Sequence, residues 1–250
     1  MFAGMNVIEE ILKSMPPKDA EALGSALGMD TAASDAERAA DDWDSDNNCN
    51  YSSDGTRLLD SENFPDKVIV RNGTRVICDG VFAFRDYMAE DRRIGEEIPE
   101  EERVSFLDRI ILPSSVEVIG NGAFRECGWI TGIKLPTSLV RICDNAFSGC
   151  WELQKITCPA RLMCIGDRAF FECFSLGSVH LDNNLRILGS EAFAFCESLR
   201  EITLPRKLAA VGKDPFLGCR KLRRIFVPEG TGELYSDILP ASQHKFIREI

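Results

Sequence analysis

The stretch that decides the fold is Leu153–Cys173, LQKITCPARLMCIGDRAFFEC, because the chain repeats its pattern at a fixed spacing. Phe170 belongs to a series whose neighbours are 23 residues apart, and a cysteine follows each member by three positions. The series is Phe124, Phe147, Phe170, Phe193 and Phe216, with Cys127, Cys150, Cys173, Cys196 and Cys219. Self-similarity at a period in the twenties predicts a solenoid, in which stacked copies bury a core that one copy cannot bury alone.

One repeat unit can be interpreted residue by residue. Ile156 and Cys158 are two positions apart, so a strand would point both into a core, and the proline that follows should end that strand. Leu162–Ile165 predicts a second, shorter extended piece. Gly166 permits a turn where a Cβ would clash. We expect Asp167–Phe170 to form a single helical turn that drives the phenylalanine inward.

The consensus, L-x-x-I-x-L-P-x-x-L-x-x-I-G-x-x-A-F-x-x-C, resembles the BspA-like, or Treponema-pallidum-type, leucine-rich repeats. Two copies depart from it without breaking the period: Cys143 replaces a glycine and Pro215 replaces an alanine. The resemblance implies a β-rich leucine-rich-repeat solenoid of the α/β repeat class, used for macromolecular contacts. It names no partner.

A sixth repeat precedes the five. Val68–Val70 and Ile77 have the repeat spacing, but Phe82 lies 42 residues before Phe124. About nineteen residues are therefore inserted, near 88–106, and they are rich in glutamate. Insertions in repeats often lie on the binding face. The alternative is a tolerated, disordered loop, since the entropy of loop closure grows only slowly with length, and we favour this alternative.

The chain ends predict caps. Residues 1–49 read as an acidic leader with one or two short helices, which either dock as a helical hairpin or stay weakly ordered, followed by an acidic linker from Asp30 to Asn50. The solenoid spans 50–227, and Asp54-Gly55 predicts a capping hairpin at its start. Residues 228–250 predict a helical C-terminal cap that is interrupted at Pro240.

Charge and hydropathy argue against nucleic-acid-binding and membrane-spanning proteins. The net charge of −11 is carried by residues 1–66, while the remaining charges cancel. Nucleic acid is not an expected partner, since it would require a basic stripe. The sequence shows neither a membrane span nor a signal peptide. We therefore expect a cytoplasmic protein, with an extracellular or cell-surface location as the alternative.

The cysteines, aspartates and histidines do not predict a catalytic or metal-binding site. A cysteine at one repeat position is best explained as a buried thiol of the core, so we expect neither a metal site nor a cofactor. The aspartates of Asp42–Asn47 resemble a calcium loop but lack its glycine. His180 and His244 have no neighbouring acid or nucleophile motif. We expect no enzyme.

Binding must then use the positions that the consensus leaves free. Side chains that alternate outward along the main strands define a candidate sheet face: Lys67, Ile69, Arg109, Ile111, Lys134, Lys155, Thr157, His180, Thr203, Arg224 and Phe226. The face is basic, so the acidic leader is expected to cover it until a partner competes. A second candidate is a convex aromatic patch, whose residues could instead pack on the leader: Trp129, Trp151, Phe171, Phe174 and Phe195.

The sequence thus predicts a monomeric, non-enzymatic protein–protein interaction scaffold. An exported adhesin of the BspA-like type is the first alternative. A regulatory module attached to an activity in the leader is the second.

Overall fold

The computed structural model describes residues 4–39, 42–61, 67–83, 109–128 and 130–250. The helices are α1 (Gly4–Ser14), α2 (Pro17–Gly28), α3 (Asp35–Ala39), α4 (Gly232–Ile238) and α5 (Ala241–His244). The strands are β1 (Asp42–Asp44), β2 (Cys49–Tyr51), β3 (Arg57–Ser61), β4 (Lys67–Ile69), β5 (Val76–Ile77), β6 (Arg109–Ile111), β7 (Val118–Ile119), β8 (Arg141–Ile142), β9 (Lys155–Thr157), β10 (Cys164–Ile165), β11 (Ser178–His180), β12 (Ile187–Leu188), β13 (Glu201–Thr203), β14 (Ala210–Val211), β15 (Arg224–Val227) and β16 (Ile247–Glu249).

The repeats contribute one longer and one shorter strand, as the consensus predicts, except that the third has an isolated bridge at Gly132 in place of the longer strand. The two-residue strands pair in parallel in the order β5-β7-β8-β10-β12-β14, which forms one continuous ladder along the chain. The longer strands pair as β4 with β6, β9 with β11 and β13 with β15. The result is the predicted leucine-rich-repeat solenoid, with its core enclosed between the two ladders.

The phenylalanines form a stack through the core. Rings in adjacent repeats have centroids 4.9–5.2 Å apart from Phe82 to Phe193, and the last step to Phe216 is 6.1 Å. The planes of Phe147, Phe170 and Phe193 lie within 2° of parallel between neighbours. The spacing matches that of neighbouring strands, about 4.8 Å, so the stack follows directly from the period.

The segment around each phenylalanine is not helical, and the expectation of a helical turn was wrong. Arg168 and Glu172, two residues before and after Phe170, have φ of 52° and 58°. Because the backbone is in the left-handed conformation at these two residues, alternate N–H groups point along the solenoid axis. The N–H groups of Arg168, Phe170 and Glu172 donate to carbonyls of the next repeat at 2.8–2.9 Å. The turn is therefore a third inter-repeat ladder.

The cysteine after each phenylalanine closes the same ladder from the other side. The Cys173 thiol donates to the carbonyl of Phe147 in the preceding repeat at 3.2 Å, and Cys196 bonds Phe170 in the same way at 3.3 Å. The contact recurs at Cys127, Cys150 and Cys219, with Phe82, Phe124 and Phe193 as acceptors. A buried carbonyl that would otherwise bond only within its own turn gains a second donor.

Glycine after the short strand is explained by close approach. A Cβ at Gly189 would lie 2.3 Å from the backbone of Gly166, and one at Gly212 would lie 2.1 Å from that of Ser190. Each repeat therefore rests on the backbone of the one before it.

The N-terminal cap is the predicted hairpin. β2 and β3 pair antiparallel across Asp54-Gly55, where Gly55 has φ of 68°. β3 then pairs in parallel with β5, so the hairpin covers the first open edge of the short-strand ladder. β1 extends the sheet by pairing with β2. Asp42–Asp44 is thus a strand, which contradicts the expectation of an acidic linker there.

The leader docks on the short-strand ladder and not on the predicted sheet face. Alternation with the core places Val118, Cys164 and Ile187 on the outer side of this ladder, yet all three are buried. In the same column, the Arg141 guanidinium donates to the carbonyls of Ala26 and Leu27, at 3.5 and 3.4 Å, at the end of α2. Leu23 and Ala26 of α2 are fully buried. The helical-hairpin alternative therefore describes the leader, and its proposed cover of the sheet face was wrong.

The C-terminal cap combines helix and strand. α4 and α5 are separated at Pro240 as predicted, and Tyr235 of α4 is fully buried with its hydroxyl donating to the carbonyl of Pro205 at 2.5 Å. The last residues differ from the prediction, because β16 pairs in parallel with β15 and continues the longer-strand ladder. The predicted insert at 88–106 lies outside the described residues.

The phenylalanine stack predicts a large, position-specific cost of truncation. Phe170→Ala should lower the free energy of unfolding by about 3–5 kcal/mol, because the ring is fully buried between two others. The exposed Lys134→Ala should change it by less than about 0.5 kcal/mol. Denaturant unfolding measures both, and equal midpoints would contradict the stacked core.

Docking of the leader predicts a distinct effect of a charge in α2. Leu23→Asp places a carboxylate at a fully buried position, so the helices should detach and expose the apolar column beneath them. Binding of an apolar dye should increase and the unfolding midpoint should fall. Glu21→Ala, on the exposed side of α2, is the matched control. Unchanged dye binding in Leu23→Asp would refute the docked arrangement.

Candidate functional site

The longer strands present the predicted sheet face in register. Lys67 lies opposite Arg109, Lys155 opposite Ser178, and Glu201 opposite Arg224. The second column continues through Ile69–Ile111, Thr157–His180 and Thr203–Phe226. In β4, β9 and β13 the outer residues are exposed and the middle one is buried. The columns predicted from the period are therefore two rows on one surface.

The third repeat is the irregular part of this face. Lys134 is exposed but lies outside a regular strand, and the only bridge there pairs Gly132 with Lys155 among the described residues. A glycine in the outer column removes a side chain from the row. The outer row therefore lacks a side chain at Gly132, next to Lys155.

The charges on the face are mainly basic. Lys67, Lys134 and Lys155 are exposed, and none of them forms an ion pair within the described part of the chain. Glu201 and Arg224 lie 3.5 Å apart and are both more than half exposed, so their pairing contributes little stability. An anionic partner would meet uncompensated ammonium groups over the first four repeats.

Apolar side chains lie near both ends of the face, beside charged ones. Ile69 is 47% exposed, and its backbone N–H donates to the side chain of Asn47 in the β1–β2 hairpin at 2.8 Å. The hairpin thus blocks the edge of β4 while leaving its outer side chain open. Near the other end, Phe226 is half-buried in β15. β16 pairs with the outer edge of this strand and places Arg248 opposite Phe226. His180, near the middle, is exposed.

The predicted aromatic patch divides into two sets. Phe171 and Phe195 are half-buried and meet edge to face, with centroids 5.3 Å apart. The Arg168 guanidinium lies over the Phe171 ring at 5.3 Å, and the Phe195 ring fills the space that a Cβ on Gly218 would need. These two rings pack along the turn ladder, so their role is mainly structural.

Trp151 and Phe174 form the second set and are more open to solvent. They occupy equivalent positions in adjacent repeats, one residue after the cysteine, and are 41% and 39% exposed. The ring of Trp151 lies on Gly128, where an added Cβ would approach it to 2.5 Å. Trp129 lies outside the described residues.

Sequence reasoning missed a basic cluster beside these rings. Arg200, Arg220, Lys221 and Arg223 are all exposed on the edge where the chain descends from each cysteine to the next long strand. The run Cys219–Arg224, CRKLRR, was the signal for it, but its charges were offset by acids elsewhere in the repeats when only totals were compared.

The cysteines are chemically quiet. All ten are buried, and burial raises the pKa of the Cys143 and Cys164 thiols to about 12. The pKa of Cys173 is raised further by the same cause. The thiolate is the form that acts as a nucleophile or a metal ligand. Since the raised pKa keeps these thiols protonated at neutral pH, they are unreactive there. Among the described residues, no group of three or more His, Cys, Asp or Glu side chains is placed to hold a metal ion.

No helix in the described ranges combines the length and apolar character needed to cross a bilayer.

The repeat sequence matches a known family. The BspA type leucine rich repeat region matches residues 117–243, just over half of the chain, in six copies. The chain belongs to this family. The BspA-type assignment agrees with the resemblance seen in the consensus, and it establishes the fold and a repeat protein suited to interaction. It does not specify a partner. No curated protein matches this chain.

Solved structures include several similar bacterial leucine-rich-repeat proteins. A T. pallidum leucine-rich-repeat protein is 21% identical with a TM-score of 0.48, over 71% of this chain and 67% of the other. The pneumococcal vaccine antigen PcpA is 15% identical with a TM-score of 0.43, over 71% of this chain and 34% of that protein. A leucine-rich cell surface protein from Faecalibacterium prausnitzii is 21% identical with a TM-score of 0.43, over 77% and 59%. This BspA-type chain therefore spans only part of the last two.

Thiol burial predicts alkaline instability. The pKa of Cys164 is raised from 9.0 to about 12 on folding, so the folded state retains a proton that the unfolded state loses. Stability is then complete below about pH 9 and decreases as the pH rises toward 12, by roughly 1 kcal/mol per pH unit for each such thiol.

Urea unfolding measured across this pH range tests the effect. Cys164→Ala removes one titrating group, so its free energy of unfolding should fall less steeply between pH 9 and 11 than that of the unmodified chain, by up to roughly 2 kcal/mol in total. Parallel pH profiles for the two chains would contradict the burial argument.

Proposed function

We propose that this protein is a non-enzymatic protein–protein interaction scaffold that binds its partner on the sheet face of the longer strands. The observation that carries the proposal is the exposed-buried-exposed pattern of β4, β9 and β13, which presents two aligned rows of side chains. The inner residues already pack the core. The outer ones have no structural task, so they are available for recognition.

The chemistry of the face favours a partner with an acidic surface. Lys67, Lys134 and Lys155 are exposed cations without ion-pair partners in the described part of the chain. Thr157 and His180 add hydrogen-bonding groups to the face. Rings and branched side chains at the ends, such as Ile69, supply apolar contact area. A monomer suffices for this role, since both rows belong to one chain.

Absence of an enzymatic role is part of the proposal. The support is the raised pKa of buried thiols such as Cys143 and the exposed, isolated position of His180. His244, the other histidine, contacts the carbonyl of Leu239 through Nε2 at 2.7 Å in the C-terminal cap.

Intracellular placement is the location we propose. The thiol of Cys173 and its equivalents act as donors to core carbonyls, and a reducing compartment preserves that role. Membership of the BspA-type family supports a second candidate, an exported or cell-surface adhesin. Cell fractionation separates the two, since an adhesin would be found outside the cytoplasmic fraction.

Charge reversal on the face tests the proposed function. Lys134→Glu combined with Lys155→Glu should abolish capture of the partner, because two attractive contacts become repulsive, while the fold is unchanged. Arg161→Glu combined with Lys213→Glu is the matched control, since it changes the net charge equally at exposed positions away from the face. Affinity capture with a photo-cross-linker at position 157 identifies the partner.

Alanine substitutions in the aromatic patch test the alternative binding site. If Trp151→Ala with Phe174→Ala eliminates capture and the double lysine reversal has no effect, the sheet face is not the site.

A further inference from the structure

A second surface lies on the edge where the chain descends from each cysteine to the next long strand. We define the basic-aromatic edge as Trp151, Phe174, Arg200, Arg220, Lys221 and Arg223. We propose that this edge binds an extended acidic peptide segment that carries one aromatic or branched apolar residue. The inference does not depend on use of the sheet face.

The edge is regular because adjacent repeats are hydrogen-bonded there. The N–H of Ser175 donates to the carbonyl of Trp151 at 3.0 Å, and that of Ser198 donates to Phe174 at 3.1 Å. One repeat further, the backbone N–H of Arg223 donates to the carbonyl of Arg200 at 2.8 Å. Equivalent positions are therefore about 4.8 Å apart along the edge.

The apolar end of the edge is preformed. Trp151 is supported by Gly128, which leaves no room for a Cβ under the ring, and still exposes 41% of its surface. Phe174, in the next repeat, exposes 39%. A ring that is held in place, as Trp151 is, offers contact area at low entropic cost, and Phe174 extends the apolar surface into the next repeat.

The other end of the edge is positively charged. In the last two repeats Arg200, Arg220, Lys221 and Arg223 face a single acid of this edge, Glu197. Glu197 lies 3.4 Å from Arg220. The Arg223 guanidinium donates to the carbonyls of Arg220 and Leu222 and forms no ion pair within the described residues. Neither Arg200 nor Lys221 forms an ion pair within the described residues.

These two ends determine the ligand. Phe174 and Arg220 are two repeats apart, or about 10 Å, which an extended peptide covers with about three residues. The ligand therefore has its apolar residue about three positions from its acidic ones. A nucleic acid could also combine stacking with phosphate contacts, but the net charge of −11 opposes a long polyanion more than a short acidic peptide.

A synthetic peptide tests the proposal. The probe is glutamate-rich, carries one phenylalanine three positions before its first glutamate, and is labelled for fluorescence anisotropy. The intact chain should bind it, more weakly at higher ionic strength. The same peptide with glutamine for glutamate, or with alanine for phenylalanine, should bind at least several-fold more weakly. No binding of the original peptide overturns the proposal.

Variants of the chain locate the binding. Arg200→Ala with Lys221→Ala should raise the Kd about tenfold, whereas Arg161→Ala with Lys213→Ala, which removes the same charge elsewhere, should not change it. Peptide addition should also alter tryptophan emission, and Trp151→Phe should abolish that change. Equal Kd values for the two double variants overturn the proposal. So does a single-stranded oligonucleotide that binds more tightly than the peptide and displaces it.

Discussion

The solenoid depends on the junction at each phenylalanine, where a stacked ring, a backbone bond to the next repeat and a cysteine thiol bond to the phenylalanine carbonyl meet. Phe147 illustrates it: the N–H of this residue donates forward to Ala169, and its carbonyl accepts from the thiol of Cys173. One residue is thus bonded to the next repeat twice. Since the ring is also stacked between two others, backbone and side chain impose the same register.

Fixed register has a consequence for recognition. Because every repeat is aligned with its neighbours, a residue outside the core belongs to a row, and a surface is built by varying one column at a time. The sheet face and the basic-aromatic edge are two such sets of columns. The leader helices occupy a third, where Arg141 bonds to α2 and Cys164 is buried. Covering this column leaves the other two open to solvent.

Features that follow from the period could be predicted from the sequence. The stack through Phe170, the two strands per repeat and the columns at Lys155 and Thr157 all require only a constant spacing, and the hairpin at Asp54-Gly55 required only turn chemistry. The left-handed residue Arg168 could not be foreseen, because arginine carries no preference for positive φ and the ladder imposes it. The docking site of Leu23 was equally hidden, since an amphipathic helix indicates that it packs but not against which face. The basic cluster was missed because the charges of the run Cys219–Arg224 were offset by acids elsewhere in the repeats, whereas the stack places Arg200 in register with Arg223.

The repeat contacts also bridge the step from Phe82 to Phe124, which is longer than the others. The Cys127 thiol bonds the carbonyl of Phe82, and Phe82 donates to Ala123, although the usual separations are exceeded by nineteen residues. The two repeats on either side are thus joined by the same types of contact as the other pairs. Since the entropy of closing a loop grows only slowly with its length, this junction is a natural point for grafting: a fluorescent or enzymatic domain inserted there would be carried by the scaffold without altering its register.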